Sequence, residues 1–141
     1  MDLMRRLYWG AAAVSLALLA WGALAPLDYP TRERAIEFSR GAAAPVPPSV
    51  LLTLGVRDVL LLRNRDLRAH VFGQVRVLPG REFRLPFEQA GEFPFACDGA
   101  PGARVLVRVL PRPDPGWQRL RWRLRVLADA VRGMPLQGPD D

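Results

Sequence analysis

The sequence predicts a mainly β protein: one small β-sandwich behind an N-terminal transmembrane helix, with a basic amphipathic helix near the C-terminus. Three observations predict this. Residues 7–27 carry no charge. Between residues 35 and 110, short apolar runs are separated by Gly, Pro, Asn and Asp at spacings of roughly 8–12 residues, the pattern of a sandwich. From Trp117 on, Leu120, Leu124, Leu127 and Val131 recur at helical spacing.

The chain has 141 residues, room for one short span and one small domain. The uncharged run between Arg6 and Asp28, at about 1.5 Å per residue, matches a hydrocarbon core of about 30 Å. Tyr8, Trp9, Trp21 and Tyr29 lie towards its ends, where amphipathic rings prefer the interface. Arg5 and Arg6 precede it and favour a cytoplasmic N-terminus, although Arg32 and Arg34 on the other side weaken the bias. The competing reading is a cleaved signal peptide ending at Ala23-Leu24-Ala25. Pro26 after the cut and the length of the run disfavour it, so an uncleaved anchor over residues 1–27 is expected. Gly10, Ala11, Ala12, Ala13, Ser15, Ala17 and Gly22 let another helix approach closely. Together with Trp9 and Trp21, they are the candidate packing residues against integral-membrane subunits.

Beyond the span, residues 28–34 read as an exit linker and residues 35–110 as the β-domain. Expected strands are 35–39, 49–54, 58–63, 69–72, 74–78, 82–86, 92–97 and 104–110. Pro45, Pro47 and Pro48 make residues 41–48 a connector. Asp58-Val59-Leu60-Leu61-Leu62-Arg63 is an apolar run suited to a buried strand. Asn64-Arg65-Asp66 signals a turn. Residues 104–110 alternate Arg with apolar side chains, as a strand with one wet face does. Residues 111–116 form a Pro-rich linker, and residues 134–141 a flexible tail.

Residues 117–133 are expected to be helical, with Gly133 as the stop. Strict alternation from Leu120 to Val126 keeps a strand as the alternative. A basic amphipathic helix lies on a membrane surface, fills a partner's groove, or caps its own sandwich. On the first two readings Arg119, Arg121, Arg123, Arg125, Trp117 and Trp122 are the candidate contacts to anionic lipid or a partner.

The net charge is +6, and every basic residue other than His70 is Arg. A basic chain invites a nucleic-acid reading, but the span argues against it. Acidic headgroups or an acidic protein face fit better. No Gly-rich phosphate loop, Ser nucleophile motif or usefully spaced carboxylate pair occurs, so an enzyme is not expected. Glu82, Glu88 and Glu92 lie near Arg81 and Arg84 and read as surface charge. There is one cysteine, Cys97, and one histidine, His70. They make neither an intramolecular disulfide nor a structural zinc site, which needs four N or S ligands.

From Ile36 to Val109 the chain resembles a cupredoxin. Ile36-Glu37-Phe38 looks like its first strand, and Pro48-Ser49-Val50-Leu51-Leu52-Thr53-Leu54-Gly55 like the strand entering the core. The segment from Val59 to Asp66, followed by His70, resembles the one that presents the first copper histidine, with Leu78-Pro79-Gly80 as the turn after it. Ala90-Gly91-Glu92-Phe93-Pro94-Phe95-Ala96-Cys97 is similar to the strand ending at the copper cysteine, and Arg104–Val109 to the last strand. The resemblance implies a Greek-key β-sandwich. It implies a copper role for His70 and Cys97 at most. A blue-copper site needs a thiolate, two imidazoles and a weak axial ligand. Where the second histidine belongs stand Asp98, Gly99, Ala100 and Pro101, and Gly102-Ala103 stands where Gly-Met belongs. A binuclear centre would need a second cysteine.

No cofactor is therefore expected, copper included. His70 is expected to be hydrogen-bonded near the loop end of the domain, and Cys97 to be a small buried hydrophobe. A reactive thiol activated by His70 would need a third, orienting group, and none is evident. The leading expectation is a non-catalytic accessory subunit in a bacterial inner membrane, single-pass, with its domain in the periplasm. The resemblance implies a host among photosynthetic reaction-centre or respiratory electron-transfer complexes. The alternatives are a copper carrier that completes its site with a partner's ligand, and a membrane-surface adaptor acting through the basic helix.

Overall fold

A computed structural model of the chain describes residues 1–40 and 46–133. Most of the expected connector (41–45) and the expected flexible tail (134–141) lie outside the described residues. The chain forms two compact units, one of Met1–Leu27 with the chain from Pro113 on, the other of Asp28–Arg112.

In the first unit, α1 (Asp2–Leu24) is one unbroken helix. It starts five residues before the uncharged run, because Asp2, Arg5 and Arg6 extend the helix on its polar side, and it stops before Pro26. Its 23 residues make it about 34 Å long. By length and composition it is apolar enough to cross a membrane. The other helix, α2 (Trp117–Arg132), settles the helix-or-strand alternative in favour of the helix, and Gly133 ends it.

The two helices meet at the C-terminal end of α1. A Cβ placed on Gly22 would lie 2.8 Å from Leu120 Cδ1, so the absence of a side chain at Gly22 makes the seat for Leu120. The last carbonyls of any helix lack partners within it and carry partial negative charge. Here arginines of α2 supply the donors. Arg123 donates from Nε to the Gly22 carbonyl (2.9 Å) and from Nη2 to those of Ala25 (2.9 Å) and Pro26 (3.3 Å). Arg119 donates to the Ala25 carbonyl at 3.0 Å. The Arg123 guanidinium also lies 5.0 Å from the Trp21 ring centroid, a cation–π distance.

Among its described residues, the second unit is β apart from one 3-10 turn, Pro101–Ala103. Its strands are β1 (Glu33–Phe38), β2 (Ser49–Thr53), β3 (Val59–Asn64), β4 (His70–Phe72), β5 (Val75–Val77), β6 (Glu82–Pro86), β7 (Gly91–Ala96) and β8 (Arg104–Leu110). The first strand begins two residues earlier than expected, at Glu33, because its backbone pairs with Val59 from there on. One sheet has the order β1-β3-β6 and the other β2-β8-β7, with β4-β5 as a separate hairpin. β1 runs parallel to β3, and β2 parallel to β8, so the chain crosses between the sheets before pairing again, which is Greek-key behaviour.

The two central strands are those whose sequences announced it. In β3 the run Leu60-Leu61-Leu62 is buried throughout. In β8, Val105, Val107 and Val109 point inward while Arg104 and Arg108 face water. Of the four outer strands, β6 and β7 are largely exposed. Pro94 sits within β7, a position that an edge strand tolerates because one side needs no ladder donor. Ile36, Phe38, Val50, Leu52, Leu60, Leu62, Phe72, Val105, Val107 and Cys97 meet in one core.

Charged pairs tie the strands at the surface. Arg63 bridges Glu37 (3.1 Å) and Glu82 (2.6 Å), Arg84 pairs with Glu33 (2.6 Å), and Arg108 with Glu92 (3.3 Å). Arg32 grips Asp58 with two guanidinium nitrogens, and Gly55 N–H donates to the same carboxylate at 3.1 Å.

Candidate functional site

His70 opens β4, and Cys97 directly follows β7. A β-bridge between Phe72 and Cys97 joins the two segments. The fold thus brings both residues singled out from the sequence to one end of the sandwich, where the loop 98–103 crosses.

The His70 ring is anchored on three sides. It stacks on Phe38, centroids 4.8 Å apart and planes 7° from parallel. Its Nε2 lies 2.9 Å from Asp66 Oδ2, and its Nδ1 lies 3.2 Å from Asp98 Oδ1. Asp98 Oδ1 also accepts from the Val71 N–H at 3.3 Å. Gly99 lies against the ring: a Cβ there would be 3.3 Å from Phe38 and 3.7 Å from His70 Nδ1.

Asp66 is in turn positioned by Asn64, a residue read from sequence only as part of a turn. Asn64 is the last residue of β3 and is 1% exposed. Its Nδ2 donates to the carbonyls of Arg68 (2.7 Å) and Val77 (2.9 Å), and its Oδ1 accepts from the Asp66 N–H (2.8 Å). One side chain therefore holds the loop 64–68 and the end of β5. The signal for this was an amide side chain at the end of an apolar strand, next to a turn. The hydrogen bond from His70, followed by that from the Leu67 N–H, holds the Asp66 carboxyl below its ordinary range.

Cys97 is 1% exposed. Burial pushes its thiol up, and the nearby Asp98 charge adds to this against the opposing N–H groups of Gly99 and Ala100. The thiolate, which is the ligand and the nucleophile, is thereby disfavoured. Among the described residues, no group of three His, Cys, Asp or Glu side chains is placed to hold a metal ion. The donor set does not suit copper. It offers one imidazole, whose two nitrogens already face carboxylates, and one buried thiol that burial pushes up. A copper ion would have to displace Asp66 or Asp98 from the ring and would still lack a second imidazole.

The six candidates on α2 divide. Arg119 and Trp122 are buried, and Arg123 is half-buried on the end of α1. The two arginines are turned to α1's C-terminal carbonyls, which lack donors within their own helix. Trp117, Arg121 and Arg125 are exposed. Along α1, Trp9, Gly10, Ala13, Ala17 and Trp21 are exposed, and only Gly22 is buried, under Leu120.

Among the described residues, the second unit is a β-sandwich of two three-stranded sheets with a two-stranded hairpin, eight strands in all. No protein-family model matches the chain, and no curated protein matches it. Solved structures similar to it include a point mutant of amicyanin with Cu(I), at 19% identity over 58% of this chain and 86% of that one, with a TM-score of 0.43. The amicyanin of Paracoccus versutus is similar at 16% identity over 61% and 89%, with a TM-score of 0.44. A purple cupredoxin from Nitrosopumilus maritimus is similar at 21% identity over 45% and 78%, with a TM-score of 0.37.

Proposed function

We propose that this protein is a non-catalytic, membrane-anchored accessory subunit whose cupredoxin-like domain serves as a scaffold and works without copper. The observation that carries the reading is the state of His70. Both of its ring nitrogens face carboxylates, Asp66 at 2.9 Å and Asp98 at 3.2 Å, at the end of the sandwich where Cys97 lies buried. In this arrangement the imidazole joins the loop after β3 to the loop after β7. Its role is a structural cross-link where the resemblance would have had a ligand.

On this reading α1 crosses a bacterial inner membrane once and packs among the helices of a larger complex, with the β-unit in the periplasm. The apolar, almost wholly exposed surface of α1 supports a span whose sides are covered by lipid or by other helices. The neighbourhood that a cupredoxin-like domain implies is electron-transfer machinery, of photosynthetic reaction-centre or respiratory type. Fold analogy supplies that part of the reading.

The test is purification under mild detergent from native membranes. The chain should migrate with a large multisubunit complex, and migration alone in native gels would refute the accessory role. Copper titration of the full chain separates this reading from a copper carrier. A colourless sample is expected, and an intense thiolate-to-copper absorption band at stoichiometric metal would overturn the copper-less assignment.

A further inference from the structure

Once Arg119, Trp122 and Arg123 have turned inward, α2 keeps a second face. Trp117, Leu124, Leu127 and Val131 are 68%, 57%, 61% and 57% exposed. They follow one another at steps of seven, three and four residues and so fall on a single line along the helix. Leu120 belongs to the same line and is the side chain seated on Gly22 of α1. Leu120 thus ties the line to the C-terminal end of α1, where Trp21 and Leu24 are 64% and 65% exposed. Arg121, Arg125 and Arg132 flank it and are exposed. In the whole helix five arginines stand against one acid, Asp129.

We propose that this stripe lies in the headgroup–acyl boundary of the membrane that α1 crosses, with Arg121, Arg125 and Arg132 on the phosphates of anionic phospholipids. The inference rests on reading α1 as a membrane span and adds to it a second, interfacial anchor. Three observations select the lipid surface as the occupant. The arginine cap ties α2 to the last carbonyls of α1, the end at which a span leaves the hydrocarbon. The apolar stripe runs through Leu120, the side chain seated on Gly22 of α1. The charge beside the stripe is of one sign, which matches anionic headgroups. Two attachments at different depths set the height and tilt of the anchor, where a single helix would leave both free.

The full chain, reconstituted in nanodiscs containing phosphatidylglycerol, tests this through single nitroxide labels. Buried Cys97, its thiol protonated, stays unlabelled, so Leu124→Cys, Leu127→Cys, Gln118→Cys and Val14→Cys are labelled one at a time. Accessibility to oxygen relative to a water-soluble nickel chelate should be at least about fivefold higher at positions 124 and 127 than at 118, because oxygen concentrates in the acyl region. Adding Arg121→Gln, Arg125→Gln and Arg132→Gln, or replacing the lipid by phosphatidylcholine, should lower the ratio at 124. Equal ratios at 118, 124 and 127 would overturn the proposal. So would a label at 124 that leaves water only when other membrane proteins are present, or only when two copies pair. The label at 14 separates the two readings. Hydrocarbon at 14 with water at 124 sinks the interfacial helix alone, whereas water at both also sinks the span.

Discussion

Asn64 offers the sharpest test of how the His70 end of the sandwich is held. Replacing it by Ala removes two donors and one acceptor from a side chain that is 1% exposed. The carbonyls of Arg68 and Val77 and the Asp66 N–H lose their partner together. A buried polar group left unpaired costs about 1–3 kcal/mol. Arg68 and Asp66 lie nearer to water than Val77, so a total of about 3 kcal/mol is the reasonable sum. For a domain of this size each kcal/mol moves the midpoint by about 4–8 °C, so the β-unit should melt roughly 12–24 °C lower. Asn64→Asp is the informative companion. It keeps the volume but sets a carboxylate oxygen against two carbonyl oxygens, at the 2.7 and 2.9 Å now spanned by donors. It should be at least as damaging as Ala at neutral pH and should recover in part at acid pH, where a protonated carboxyl donates once more. The assay is hydrogen exchange of the β3 to β5 amides in the full chain, together with thermal unfolding in mild detergent. If both variants stay within about 1 kcal/mol of the parent, the account of this end of the fold is wrong.

Two further outcomes follow from the charged contacts. Asp66 and Asp58 both have carboxyls held below the ordinary range. For Asp66 the cause is the His70 hydrogen bond. For Asp58 burial opposes the charge, but Arg32 and the Gly55 N–H outweigh it. A depressed carboxyl contributes stability that is complete above its unfolded value of about 4 and is lost as pH falls through the lower folded value. Urea midpoints of the β-unit should therefore drop below about pH 4, and Asp66→Asn should make that limb shallower. An unchanged acid limb would show that Asp66 contributes nothing. At the other unit, Arg123→Gln should speed hydrogen exchange of α2 by about tenfold, as expected for losing charge-assisted bonds worth about 1–2 kcal/mol. Arg123→Lys should not restore it, because a single ammonium cannot reach the spread of carbonyls that a guanidinium fork spans. Full rescue by Lys would point to charge alone.

Much of this architecture was legible in the residue order. A charge-free run with Pro26 near its end gives a long helix whatever surrounds it. The Leu60-Leu61-Leu62 run is consistent with a buried strand, and the fold places it at the centre of its sheet. The Arg–Val alternation of β8 fixed which of its faces is wet. The shortage of copper ligands was arithmetic, one imidazole and one thiol. These features are local or compositional, and periodicity and counting suffice for them.

What the tertiary structure decided is how distant groups pair. Sequence spacing does not reveal that Asp98 closes on an imidazole 28 positions away, or that Asn64 reaches the far end of β5. Nor does it tell which arginines of α2 face inward. A helical wheel sets Arg119 and Arg123 on one side and Arg121, Arg125 and Arg132 on the other, but only the unpaired carbonyls of α1 decide that the first pair faces inward. Hydrogen-bond demand at the end of one helix is met by whichever donors the fold brings there, and that assignment exists only once the chain has folded back on itself.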